Sequence, residues 1–323
     1  MPTAEQAQAR LAGISGLELS THTPLSRHTR FAIGGDADLY AETVSENAFV
    51  AALAAARETT IEVVVIGDGT NLIVSDDGFR GLVLRYRAAG IRSDGNSVSV
   101  DAGASLQALV DFTVERGLEG LETLAGIPGS VGAAVYGNAG AYGHSISERI
   151  ASVRFFDGSQ VRALSNPDCR FQYRESLFKN HKEWAIFSVE LRLDPADSAT
   201  LRRAAADIVE TRNRKFPATL KCAGSIFKNL LLKELPAAVA SQIPASTVRE
   251  GKVPAAWFLD RVGAKGAHRG EIRVAEYHAN LIYNAGAGTA ADLRALIGEL
   301  KARVRERFGL ELEEEVQYVG RFG

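Results

Sequence analysis

LAGIPGSVGAAVYGNAGAYG, residues 124–143, holds two glycine triplets: Gly126, Gly129 and Gly132, then Gly137, Gly140 and Gly143. It contains no charged side chain. Glycine loses more conformational freedom on ordering than any other residue, so a segment this bare is costly unless something binds it. Bare backbone lets successive N–H groups face one concavity and lets a ligand approach closely, which suits a pyrophosphate. GDGTNL, residues 67–72, makes a second glycine-rich turn directly after the β-branched run IEVVVI, residues 61–66. The Rossmann fingerprint needs a third glycine and an opening helix, but NLIVSDD reads as another strand. A Walker A loop needs Gly-Lys-Ser/Thr, which does not occur. Both standard dinucleotide loops are therefore excluded. The two segments remain able to clamp one phosphate-rich cofactor from two sides. Tight turns and close packing are the competing explanation, and for residues 67–71 alone the better one.

Around these segments the patterning mixes strands and helices. Strands are expected at 61–66, 81–86, 97–103, 152–156, 184–193 and 279–283. Helices are expected at the N-terminus up to about Gly13, from 105 to Gly117, and over 200–213. Another is expected over 289–308, with Leu293, Leu296, Ile297, Leu300, Val304 and Phe308 on one face and Gly309 as its stop. LELEEEVQYV, residues 310–319, alternates like a final strand. The strict βαβα rhythm of a doubly wound sheet is missing, so the class is α+β, with breaks near residues 95 and 215.

Composition narrows the function. The 323 residues carry a net charge of −2, so no basic field suggests nucleic acid or an anionic membrane. Cys169 and Cys222 form no CxxC or Cys/His cluster, which argues against a metal site or disulfide framework. No uncharged apolar run reaches the ~18 residues of a membrane span. The N-terminus shows no secretory h-region, so the expected compartment is the cytoplasm.

The order of segments is more specific than any one of them: HTRFAIGGDADLY, GDGTNLIVSDDGF, AGIPGSVGAAVYGNAGAYG, YRESLFK, KFPATLKCAGSIFKN, PAAWFLDRVGAKGAHRG, HANLIYN and LEEEVQYVG. This series resembles the UDP-N-acetylenolpyruvoylglucosamine reductase family, FAD enzymes of peptidoglycan precursor synthesis, from about His28 to Gly320. The N-terminal half is similar to the wider vanillyl-alcohol-oxidase-type FAD fold. The resemblance implies FAD-binding subdomains over 1–95 and 96–214 and a smaller α+β substrate-binding domain over 215–323. It implies non-covalent FAD, NADPH as co-substrate, a UDP-enolpyruvyl sugar as substrate, and a monomer. The departures are GGDA where the family has GGPA, Leu230 where a proline follows FKN, Gln317 where many members have arginine, and a long 230–252 segment. The spacing from Tyr173 to Ser225 fits the shorter subclass.

Carried onto this chain, the resemblance makes Arg174 the carboxylate-holding arginine, Ser225 the proton donor and Glu315 the glutamate beside the enediolate. Tyr173, Lys215, Asn229, Lys265 and His278 match substrate contacts. FAD contacts are implied at Gly67, Gly69, Thr70, Asn71, Leu72, Gly126, Ile127, Pro128, Gly129, Ser130, Val131, Gly132, Asn138, Gly140, Ala141, Tyr142 and Arg212. Taken singly, these residues read otherwise. Ser225 is a turn or cap residue, each lysine a solvated surface residue, His278 a structural histidine, and Glu313 to Glu315 a solvated acidic run. Strand alternation would set Glu315 on the opposite face from Glu314, Val316 and Tyr318. Two rivals share part of the pattern. An oxidase of the wider flavin fold leaves GSIFKN and LEEEV without a purpose. A non-catalytic nucleotide-sugar binder has no need of Ser225 and Glu315.

Overall fold

The β-branched run that opens the GDGTN turn forms the strand Val63–Ile66, and it pairs in parallel with Phe79–Tyr86. The run reads as a buried strand, but it lies at the edge of its sheet, and only Ile66 is buried while Val63, Val64 and Val65 are half-buried. The computed structural model describes residues 4–323, and they gather into two units. The first takes the described residues up to Thr23, then Ala37–Gly69 and Phe79–Arg214; the second takes Pro24–Asp36, Thr70–Gly78 and Lys215–Gly323.

The first unit contains two sheets. One has the order Glu18–Pro24, Asp36–Thr43, Phe79–Tyr86, Val63–Ile66. Helix Glu46–Glu58 accompanies it, capped by Ser45, whose hydroxyl accepts from Ala48 N. Leu39, Ala41, Phe49, Leu82 and Leu84 share one buried cluster with Phe187. The other sheet is antiparallel, in the order Val161–Ser165, Ile150–Phe156, Ala185–Arg192, Ser97–Asp101, Ile91–Asp94. Its core joins Val98, Val100, Val153 and Val189 to Leu109 and Val110 of helix Leu106–Glu115. The glycine-rich stretch contains a short helix, Val131–Tyr136, that its composition did not announce. Val131 and Val135, both fully buried, anchor it in that core.

In the second unit a three-stranded antiparallel sheet, His268–Arg269, Ile272–Ala275 and His278–Asn284, shares a core with helices Ala255–Arg261 and Ala290–Phe308. The long helix ends as its sequence requires: Gly309 takes φ +67 and its N–H bonds Arg305 O. At its start the Asp76 carboxylate accepts from Ala290 N and Ala291 N at 2.8 and 2.9 Å, supplementing the Thr289 cap.

Three expectations change. Segments 24–36 and 70–78 belong with the C-terminal unit, drawn there by the parallel pairing of Leu72–Val74 with Gln317–Val319 and by Asn284 Nδ2 donating to Phe31 O at 3.0 Å. The final strand spans only Gln317–Val319, and upstream of it a single bridge joins Glu314 to Phe227. The 230–252 segment, whose proline and lysine content suggests an exposed excursion, is tied into the unit. Leu230–Leu231 pairs with Lys252–Val253, and Val239 and Ile243 lie in the unit's core.

Candidate active site

Within the first unit the two glycine-rich segments touch. A Cβ on Gly67 would stand 2.7 Å from Ser130 Oγ. Ser130 is itself buried and caps the Val131–Tyr136 helix. The first triplet is stitched to the strand end at 102–106: Leu106 N donates to Gly129 O, Val131 N to Ala104 O and Gly132 N to Ala102 O, each at 2.8 Å. A Cβ on Gly132 would come within 2.9 Å of Ala102 Cβ, so packing alone requires that glycine. Gly69, Gly126 and Gly129 are different, with φ of +65, +75 and +119, a region that L-residues rarely adopt. Gly126 N donates to Gln107 Oε1 at 2.7 Å, and Arg212 Cδ lies 3.3 Å from where its Cβ would be. Arg212 therefore lies over bare backbone. Ile127 packs against the core while Pro128 is exposed.

The second triplet builds a hairpin in which Gly140–Ala141 pairs with His144–Ser145 and exposed Tyr142 sits at the tip. Asn138, expected as a cofactor contact, uses its buried carboxamide as a brace. Its Nδ2 donates to Gln172 O at 2.8 Å and its Oδ1 accepts from Ser147 N. Gln172 and Glu175 exchange main-chain hydrogen bonds across a tight turn whose two middle residues are Tyr173 and Arg174. An Arg174 terminal nitrogen donates to Gly140 O at 2.7 Å, and its guanidinium lies 5.2 Å from the Tyr173 ring centre. Asn138, Tyr142 and Arg174 all have left-handed backbone, at φ +44, +52 and +59. Each costs about 1–3 kcal/mol, strain that proteins hold chiefly at functional sites.

Within the second unit, residues 225–228 lie between His278–Asn284 and residues 313–316. Ser225 bridges Leu281; Ile226 O accepts from Glu315 N at 2.7 Å; Lys228 N donates to Glu313 O at 2.9 Å. Ser225 and Glu315, 90 residues apart in sequence, are thus both neighbours of Ile226, one along the chain and one across the pairing. The acidic run is sorted by its neighbours. Glu313 pairs with the buried Lys228 ammonium, and Glu314 holds Lys301 Nζ at 2.9 Å and accepts from Tyr318 OH at 2.5 Å. Glu315 is fixed through its main chain, with Asn71 Nδ2 donating to its carbonyl at 2.9 Å while Gln317 N donates to Asn71 O. Asn71, also expected at the cofactor, therefore holds the glutamate segment, and Leu72 begins the strand that pairs with Gln317. Thr70 lies half-buried beside them.

The substrate-contact candidates of this unit form a second group. Tyr277 OH donates to Lys215 O at 3.1 Å, and the Phe216 and His278 rings lie 5.8 Å apart. Burial holds the His278 imidazole below the usual histidine range, and Lys215 adds to the effect. Lys265 pairs with Asp260 at 2.9 Å. Asn229 Oδ1 accepts from Ala255 N at 3.3 Å. Cys222 is fully buried, which keeps its thiol from meeting a ligand, and burial pushes that thiol up. No group of three or more potential metal-ligating side chains occurs among the described residues, and no helix there is long and apolar enough to cross a membrane.

Comparison with known proteins adds family. Residues 37–161 match the family described as FAD binding domain, and residues 216–319 match UDP-N-acetylenolpyruvoylglucosamine reductase, C-terminal domain. The chain is 65% identical over 311 residues to the UDP-N-acetylenolpyruvoylglucosamine reductase of Solibacter usitatus (strain Ellin6076), covering 96% of this chain and 100% of that one. It is 33% identical over 301 residues to the enzyme of that name from Bacillus subtilis (strain 168), covering 92% of each. Among solved structures, UDP-N-acetylenolpyruvylglucosamine reductase from Thermus caldophilus aligns with TM-score 0.71 and 27% identity, covering 94% of this chain and 98% of that one.

Proposed function

The chain belongs to the UDP-N-acetylenolpyruvoylglucosamine reductase family, and on that premise we propose which of its residues carry the reaction. It is an FAD-containing, NADPH-dependent oxidoreductase that reduces the enolpyruvyl ether of a UDP-N-acetylglucosamine to the lactyl ether in peptidoglycan precursor synthesis. When bound, FAD supplies the two-electron relay by which the hydride of NADPH reaches C3 of the enolpyruvyl group. One hydride and one proton are added across the double bond, so the chain itself must provide a proton at C2.

The first unit fits the cofactor. Two touching segments present bare backbone at glycines of positive φ, and Arg212 lies over Gly126. Such a set can hold a pyrophosphate without a lysine. With these backbone contacts the FAD is read as non-covalent. The purified protein should be yellow, bleach with NADPH and recover colour on adding the UDP-enolpyruvyl sugar. Acid precipitation should leave the flavin in the supernatant; yellow protein in the pellet would overturn non-covalent binding.

Arg174 receives the substrate carboxylate. Its planar fork suits two carboxylate oxygens, and the strained turn with the Gly140 carbonyl presets it. As hydride arrives at C3, charge spreads from C2 into that carboxylate. Glu315 places its carboxyl group beside this enediolate, where a hydrogen bond that strengthens with the charge lowers the barrier. Ser225 delivers the proton to C2, a carbon basic enough to take it from a hydroxyl. Lys215 and Lys265 offset the diphosphate charge, with Tyr173, Asn229 and His278 completing the substrate contacts. The observation that carries this reading is the strand register that makes Ser225 and Glu315 both neighbours of Ile226. Arg174→Lys keeps the charge and loses the fork. A hydrogen bond to charge contributes ~1.5–3 kcal/mol, so kcat/KM should fall on the order of tenfold or more with flavin content intact. A near-wild-type kcat/KM would remove Arg174 from the carboxylate.

The same reading makes the protein a cytoplasmic monomer, with FAD subdomains over 1–95 and 96–214 and a substrate-binding domain over 215–323. The two larger sheets of the first unit part between Tyr86 and Ile91, a few residues before the first proposed division, because strand Ile91–Asp94 pairs with Ser97–Asp101. Size-exclusion of the yellow fraction at 34.6 kDa would agree with a monomer.

A further inference from the structure

Directly after Ser225 the chain departs from a regular strand. In a regular antiparallel strand, successive N–H groups alternate between its two edges. Here the N–H groups of Ile226 and Phe227 both point at Asn280. Ile226 N donates to the Asn280 main-chain oxygen at 3.2 Å, and Phe227 N donates to Asn280 Oδ1 at 2.9 Å. The Ile226 carbonyl faces the opposite edge, where it accepts from Glu315 N. This is a β-bulge. The extra residue bends the strand and re-aims the neighbouring side chain, here that of Ser225. It also leaves a buried main-chain N–H and C=O outside the ladder, which is costly unless both find partners. Asn280, 2% exposed, supplies both. Its Oδ1 takes the Phe227 N–H and its Nδ2 donates to Phe227 O at 2.9 Å, so the carboxamide stands in for a missing peptide. The Asn280 N–H in turn donates to His278 Nδ1 at 3.1 Å. A donor at that nitrogen requires its lone pair, so the neutral imidazole carries its proton on Nε2.

We infer that Asn280 is a positioning residue for the reduction: its carboxamide locks the bulge that aims Ser225. The inference rests on the reading of Ser225 as proton donor. Without the carboxamide, the bulge relaxes toward regular pairing, and a one-residue slip exchanges the faces of every side chain in the segment. The two half-reactions of the full-length holoenzyme, followed at the flavin band by stopped flow, test it. In Asn280→Ala, reduction of the flavin by NADPH should stay within about twofold of wild type. Reoxidation by the UDP-enolpyruvyl sugar should slow on the order of thirtyfold or more, with a larger slowing in D2O than wild type shows, because proton delivery has become limiting. Reoxidation within about threefold of wild type, or both half-reactions falling together, would overturn the inference. If Asn280→Ala does not retain flavin, Asn280→Asp, which keeps an acceptor for the Phe227 N–H, is judged by the same two rates. Ser225→Ala serves as the control. If it reoxidises normally, the proton-donor reading fails; if it does not and the Asn280 variants do, only the positioning role fails.

Discussion

Ser225→Ala should bleach its flavin with NADPH at close to the normal rate and then fail to reoxidise it with the UDP-enolpyruvyl sugar. Hydride transfer into the flavin needs no proton donor from the chain, whereas the second half-reaction ends only when C2 gains a proton. General-acid groups typically contribute ~10²–10⁴-fold, and a lone donor to carbon lies at the upper end of that range. Ser225→Cys should keep part of the activity, since a thiol can also donate. Cys222 lies three residues away in sequence but is fully buried, so its thiol gives the alanine variant no substitute. Reoxidation of Ser225→Ala at the wild-type rate would reduce Ser225 to a turn residue.

Glu315→Gln should lower kcat on the order of 10²–10³-fold, the range seen when one group stabilising a developing charge is lost. Glutamine keeps the shape and offers an N–H but cannot exchange a proton. Glu313→Gln should leave kcat within about threefold and lower Tm slightly instead, because Glu313 loses its charge pairing with the Lys228 ammonium from the solvent side. Equal kcat losses in the two variants, or the larger loss at Glu313, would mean that the catalytic glutamate is wrongly assigned.

The two glycine-rich segments stood out in the sequence because glycine density is a local property of the chain. The structure divides their glycines by cause: Gly67 and Gly132 are bare because protein atoms press on them, while Gly69, Gly126 and Gly129 are bare to hold a left-handed backbone. That distinction depends on Ser130 and Ala102, the atoms that press on Gly67 and Gly132. Asn280 left one faint sign, a polar residue in the apolar run of HANLIYN, with nothing to say that it partners Phe227, 53 residues earlier in the chain.

The sequence by itself determined the α+β class, the helix ending at 308 with its glycine stop, a strand within the β-branched run 61–66, and the order of segments that marks the family. Each depends on neighbours within a turn or a strand length, where periodicity and capping act. Only the tertiary structure decided that residues 24–36 and 70–78 join the C-terminal unit. Only it showed that Asn138 and Asn71 brace other segments, that 230–252 is anchored, and how the three adjacent glutamates are sorted. The physical reason is reach: the bond from Asn71 Nδ2 to the Glu315 carbonyl joins residues 244 positions apart, and no local pattern encodes a partner at that distance.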